Sequence, residues 1–200
     1  MSTELGLRKA LIWAARELET KGFLPGCSGN LSARLDDKHI LITPRGKKKG
    51  SLKTSDLVQV SLDGHTVQGI HKPSTEMQMH LTIYRSCKDA QTVIHAHPPF
   101  ATAYAAAGVK LNHSALPETM EQLGKVPLIP YAQSSTQELS KQLEPYLARH
   151  HCFLLSNHGA VVYGINTDAA FYDLENLEFV SKVSLLSSLI GQPTATPERK

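Results

Sequence analysis

The chain has 200 residues, 41% of them hydrophobic, which suffices for the core of one domain spanning 1–200. Its 21 basic and 18 acidic side chains leave a formal net charge of +3. That is less positive charge than duplex-binding proteins concentrate, so a small anion is a better expected partner than nucleic acid. Cys27, Cys87 and Cys152 are odd in number and unrelated in spacing, so they form no disulfide framework. With no apolar run of signal-peptide or membrane-spanning length, the expectation is a cytoplasmic protein with no membrane partner.

Leu7, Leu11, Ala14 and Leu18 recur at helical spacing, and Lys21-Gly22 closes that helix. The run from Pro25 through Cys27, Ser28, Gly29 and Asn30 consists of turn formers. Strand-like pieces follow at 40–43 and 57–61, with Asp63-Gly64 as a hairpin turn. Pro73-Ser74 predicts a helix to about Tyr84 capped by Ser74, which places Glu76 on its first turn. Residues 92–97 read as a strand, followed by an alanine-rich helix to Gly108. In the second half, 126–131 reads as a strand, and Ser135 with Glu138 as a capping box. Pro145 should interrupt the helix that follows. Short strands at 153–155 and 160–163 flank Asn157-His158-Gly159, and a long helix starts near Asn166 or Thr167. The polar tail from Gly191 reads as loose. Strands alternating with helices make this an α/β fold.

His95-Ala96-His97 is the sharpest chemical signal, because residues two apart on a strand share a face and can converge on one ion. Alone, a His-x-His pair is weak in a chain with 10 histidines. His158 strengthens it, since a tight connection between strands is a poor place for a core histidine. Two neutral imidazoles and a third ligand match a catalytic zinc site with an open position. A second constellation suits an anion: Ser28-Gly29-Asn30, Thr43-Pro44-Arg45-Gly46 and Ser74-Thr75 offer hydroxyls, turn amides, a guanidinium and a helix start. No dinucleotide fingerprint or Walker loop is present.

Gly29-Asn30-Leu31-Ser32, Leu41-Ile42-Thr43-Pro44, Lys72-Pro73-Ser74-Thr75-Glu76, His95-Ala96-His97 and Asn157-His158-Gly159 resemble, in order and spacing, the motifs of the class II aldolase/adducin family. The resemblance covers nearly the whole chain. It favours the family's fuculose-phosphate aldolases over its pentulose-phosphate epimerases and methylthioribulose-phosphate dehydratases. It implies a mixed central β-sheet flanked by helices in three α/β/α layers, and a homotetramer with active sites at subunit contacts. It also implies zinc, or another divalent metal, on His95, His97 and His158. Glu76 would be the acid/base, and a further ligand in the empty enzyme. The phosphate of a small phosphorylated sugar would sit among Gly29, Asn30, Arg45, Gly46, Ser74 and Thr75. The implied reaction is cleavage of a ketose phosphate to dihydroxyacetone phosphate and an aldehyde, with Glu76 moving the proton if partial burial raises its pKa.

Departures from the family pattern are equally specific. An ungapped alignment puts Leu116 where the fuculose-phosphate aldolases carry a tyrosine proton donor, and Glu118 is the nearest candidate to replace it. Arg45 stands in place of a small residue, and the tail is shorter. The lysines and Gly50-Ser51 in 46–52 look like the loop of the dehydratase branch, so dehydration and epimerisation are alternatives, as is an adducin-like binding module without catalysis.

Overall fold

Side chains alternate along the central strands onto two faces, and helices cover both. The computed structural model describes residues 3–111 and 116–191. Strands β1 (Asn30–Arg34), β2 (His39–Ile42), β3 (Val58–Ser61), β4 (Thr66–Gln68), β5 (Thr92–Ala96), β6 (Leu128–Ile129), β7 (Cys152–Leu155) and β8 (Gly159–Gly164) form one sheet. Its order is β4-β3-β2-β1-β5-β8-β7-β6. Only β6 and β7 pair in parallel; the other neighbours are antiparallel. Helices α1 (Glu4–Thr20), α3 (Pro99–Ala107), α4 (Pro117–Leu123) and α6 (Thr167–Ile190) cover one face. Helices α2 (Met77–Ser86) and α5 (Gln137–Leu143) cover the other. The result is the expected three-layer α/β/α fold.

Leu11, Ala14, Ala15 and Leu18 of α1 meet Leu31 and Ala33 of β1 and Ile94 and Ala96 of β5 in one apolar layer. The intervening residues look the other way. Val93 joins Met79, Leu81 and Ile83 of α2, and Asn30, Ser32 and His95 lie on that same face. Strands covered on both sides leave no face for water, so polar side chains there need partners inside the protein. That requirement gathers the polar groups of β1, β5 and α2 into one cluster. Among the described residues, no helix is long and apolar enough to cross a membrane.

Several local expectations shift. Helix α2 begins at Met77, with Glu76 at its N-cap, while the Ser74 hydroxyl only accepts from the Glu76 N–H at 3.3 Å. Pro73 and Ser74 stay extended because Pro44 and Pro73 form a bridge between two loops. The Ser135–Glu138 capping box does not form: α5 is preceded by Thr136, and Ser135 has φ 63°. Residues 126–131 supply only the two-residue β6, and α5 ends at Leu143, before the Pro145 turn. Strand β1 and helix α4 were unanticipated. Gly29-Asn30 reads as turn, and the 7 residues of α4 span only about two helical turns. The chain after Gly191 lies outside the described residues.

Candidate metal centre

The centre forms where β5 and the β7–β8 connection end beside the start of α2. His95 is fully buried, and its Nδ1–H donates to the Ala160 carbonyl at 2.9 Å, which turns Nε2 inward. A ring held in this way presents its other nitrogen for coordination. His97 follows the last residue of β5. Its ring centroid is 4.8 Å from that of His95, and the centroid of His158 is 4.6 Å from His95. One nitrogen from each of the three lies within 4.8 Å of the other two.

Two backbone features allow this convergence. Asn157 has φ 54°, a left-handed conformation that asparagine tolerates better than most residues, and it turns the chain so that His158 faces the site. At Gly159, a β-carbon would lie 2.7 Å from the Ala96 carbonyl oxygen and 2.8 Å from the His97 ring. Any larger residue would push His97 away.

Glu76 completes the group. Its Oε2 is 3.3 Å from His95 Nε2 and its Oε1 is 3.3 Å from His158 Nε2. Asn30 Nδ2 donates to Oε2 at 2.8 Å. Burial pushes the Glu76 carboxyl up, but His95, His158 and the Asn30 N–H outweigh it and hold the group below the usual carboxylate range. The raised pKa expected from burial alone is therefore not found, and the Glu76 carboxylate is ionised at neutral pH. Burial holds His97 down to about 3 and His158 to about 4, so both rings are neutral donors at neutral pH. Glu76 Oε1, His95 Nε2, His97 Nδ1 and His158 Nδ1 are buried without a hydrogen-bond partner. Each orphan of this kind costs about 1–3 kcal/mol, and a cation fits this donor set.

The same burial makes stability pH-dependent. Unfolded histidine takes up its proton near pH 6.5, whereas folded His80 and His97 resist to about 3 and His158 to about 4. Stability of chelator-treated protein should be complete above pH 6.5 and fall below it. The loss is up to ~1.4 kcal/mol per histidine per pH unit. Urea midpoints at pH 7.5 and 5.5 check this, and equal midpoints would contradict it.

Beside the histidines lies a cleft of about 240 Å³. It gathers Ser28-Gly29-Asn30, Arg45-Gly46 and Ser74-Thr75-Glu76 with His97 and His158. Backbone bonds stitch its walls: Arg45 N–H donates to Lys72 at 3.0 Å and Ser74 N–H to Thr43 at 3.2 Å. Gly29 has φ 72°, and a β-carbon there would collide with Leu24 and sit 2.9 Å from the His95 carbonyl oxygen. Asn30 differs from the rest, because its side chain is committed to Glu76 and His80. Glu118 is exposed on α4 and does not line the cleft.

Lys49 is a cleft residue that sequence reasoning missed. Three consecutive lysines read as a solvated run, yet Lys49 is only 1% exposed. Its Nζ donates to the carbonyls of Cys27 at 2.8 Å and Lys47 at 2.7 Å, bridging two loops of the cleft. Burial lowers its pKa. Nothing in the local sequence distinguishes it from Lys47 and Lys48. A larger crevice, about 970 Å³, opens at the other end of β5 beside Arg34 and Thr92. The Arg34 guanidinium there already donates to the carbonyls of Ala90, Tyr84 and Cys87.

The chain is 35% identical over 187 residues to the 3-oxo-tetronate 4-phosphate decarboxylase of Pectobacterium atrosepticum, covering 92% of this chain and 85% of that one. It is 34% identical over 191 residues to the methylthioribulose-1-phosphate dehydratase of Methylococcus capsulatus, covering 89% and 93%. The solved structure of an L-fuculose 1-phosphate aldolase superposes with a TM-score of 0.88 at 30% identity, covering 96% of this chain and 91% of that one. Residues 9–185 match the model for the class II aldolase and adducin N-terminal domain, and the chain belongs to that family.

Proposed function

We propose that this protein is a metal-dependent lyase that breaks a carbon–carbon bond in a short phosphorylated keto sugar or sugar acid. The carrying observation is that three histidines converge with the Glu76 carboxylate beside a cleft whose loops suit an anion. Zinc is the proposed ion, because three imidazoles with an open position suit it. A divalent ion held there would supply Lewis acidity to a substrate carbonyl, easing the charge left when the adjacent bond breaks. The cleft loops bind the phosphate and place the reacting carbons beside Glu76. We further propose a homotetramer, as the family resemblance implies.

Two reactions share these parts. Decarboxylation of a 3-keto sugar-acid phosphate is the first reading, and Leu116 favours it. Carbon dioxide departs without needing a proton, so an apolar residue where the fuculose-phosphate aldolases carry a tyrosine is no handicap. Glu76 would then deliver to carbon a proton drawn from water. Aldol cleavage of a ketose phosphate to dihydroxyacetone phosphate and an aldehyde is the second, and the ionised state of Glu76 favours it. In that direction Glu76 accepts the substrate hydroxyl proton as the bond breaks and returns it to carbon. An adducin-like module without catalysis would have no use for the intact ligand set. Incubating metal-loaded protein with both substrate classes separates the readings: carbon dioxide release supports the first and aldehyde release the second. Neither product from either class would overturn the proposal.

The phosphate assignment has its own test. Arg45 is exposed at the cleft, where its guanidinium can reach an anion. One charge-assisted contact contributes roughly 1.5–3 kcal/mol, so Arg45→Ala should weaken phosphorylated substrates about tenfold or more. Unphosphorylated analogues should be unaffected, and inorganic phosphate should compete with substrate. Equal turnover of sugars and their phosphates would refute the assignment.

A further inference from the structure

A buried polar chain runs from the interior of the α2 face to Glu76, and every one of its hydrogen bonds can be given a direction. Asn30 is 3% exposed, and His80 is fully buried. His80 Nε2 lies at hydrogen-bond distance from Asn30 Oδ1, an atom that can only accept. Nε2 therefore carries the ring proton. His80 Nδ1 is 2.6 Å from Ser32 Oγ, and in a neutral ring it must accept, so the serine hydroxyl donates to it. With that hydrogen committed, Ser32 Oγ accepts from the Tyr84 hydroxyl at 2.9 Å. At the other end, Asn30 Nδ2 donates to Glu76 Oε2 at 2.8 Å. The links from Tyr84 to Ser32, from Ser32 to His80, from His80 to Asn30 and from Asn30 to Glu76 all donate in one sense, ending on the carboxylate.

We propose that His80 is a positioning residue: its Nε2–H holds the Asn30 amide so that the N–H, and not the oxygen, faces Glu76. The flipped amide would set its oxygen against the carboxylate and its N–H against another N–H, two repulsive contacts in a buried site. A fixed N–H keeps one carboxylate oxygen occupied and leaves Oε1 for proton transfer. Burial reinforces this by keeping His80 neutral, with its pKa held to about 3, and Tyr84 protonated. The placement follows from the fold. Asn30 and Ser32 are two apart on β1, Glu76, His80 and Tyr84 are four apart through the start and body of α2, and the two rows face each other. This inference rests on the reading of Glu76 as the proton-transfer group.

The test begins with the wild-type protein, metal-loaded and without substrate. The ¹⁵N spectrum of its histidines should show His80 as the neutral Nε2–H tautomer from pH 8 to pH 5. An Nδ1–H tautomer or an imidazolium would overturn the proposal. Two variants then separate position from bulk. His80→Gln retains an amide N–H near the Nε2 position, whereas His80→Leu retains volume alone. On whichever of the two substrate classes is turned over, His80→Leu should lower kcat by about 10–100-fold with KM within about twofold, and metal content should be unchanged. His80→Gln should recover most of that loss. If His80→Leu does not fold, the tautomer and a kcat of His80→Gln near wild type decide the matter; a folded His80→Gln as impaired as Glu76→Gln overturns the proposal. Failure of the functional reading looks different: Glu76→Gln stays active while the His80 tautomer is as assigned.

Discussion

Replacing Glu76 with glutamine is expected to leave the metal bound and to lower kcat by about 10²–10⁴-fold, the usual contribution of a positioned acid/base. Glutamine preserves the shape at the start of α2, so the contacts with Asn30, His95 and His158 can persist in altered form. It cannot take or return a proton at pH 7. The histidines remain, so elemental analysis should find as much metal as in the wild type. The combination of retained metal and lost turnover separates a proton-transfer role from a purely ligating one, which would lose both together. Near-normal turnover would move the acid/base elsewhere. Glu118 is exposed and outside the cleft, so it is poorly placed to take over that role.

The second large effect is expected at His95. His95→Ala should reduce bound metal from about one ion per chain to near zero at equal zinc, and turnover should fall to background. His95 is the most constrained of the three proposed ligands, buried completely and aimed by its bond to the Ala160 carbonyl. Loss of a partner behind a metal ligand commonly costs 10–100-fold in affinity or activity, so loss of the ligand itself should exceed about 100-fold. Competition with a chelator of known affinity measures the change. Wild-type affinity in the variant would mean that the ion is held elsewhere. His151, Cys152 and Asp173 form the other His/Cys/Asp group of suitable spacing among the described residues.

Much of this site was legible in the residues themselves. His95-Ala96-His97 requires only a strand to place two rings on one face, and β5 is that strand. Asn157-His158-Gly159 announced a tight turn, and Thr167–Ile190 begins where Asn166 caps it. The class II aldolase motifs link these pieces to one another along the chain. Periodicity and turn chemistry are local properties, so they survive in the sequence.

What stayed hidden depends on contacts between distant segments. The order β2-β1-β5-β8 puts Asn30 beside His95 and brings Glu76 to the same corner from another layer. Ser74 fails as a helix cap because Pro73 is held in a bridge with Pro44. Lys49 reads like its neighbours until two loops close over it, and Glu76 reads as an acid that burial should neutralise until His95, His158 and Asn30 are seen around it. His80 gave no signal at all, since a histidine in an amphipathic helix says nothing about which side chains its two nitrogens will meet. The sequence by itself determined which groups are available and which short segments display them. Tertiary structure decided which groups touch, and through burial and hydrogen bonding, which of them carry a proton.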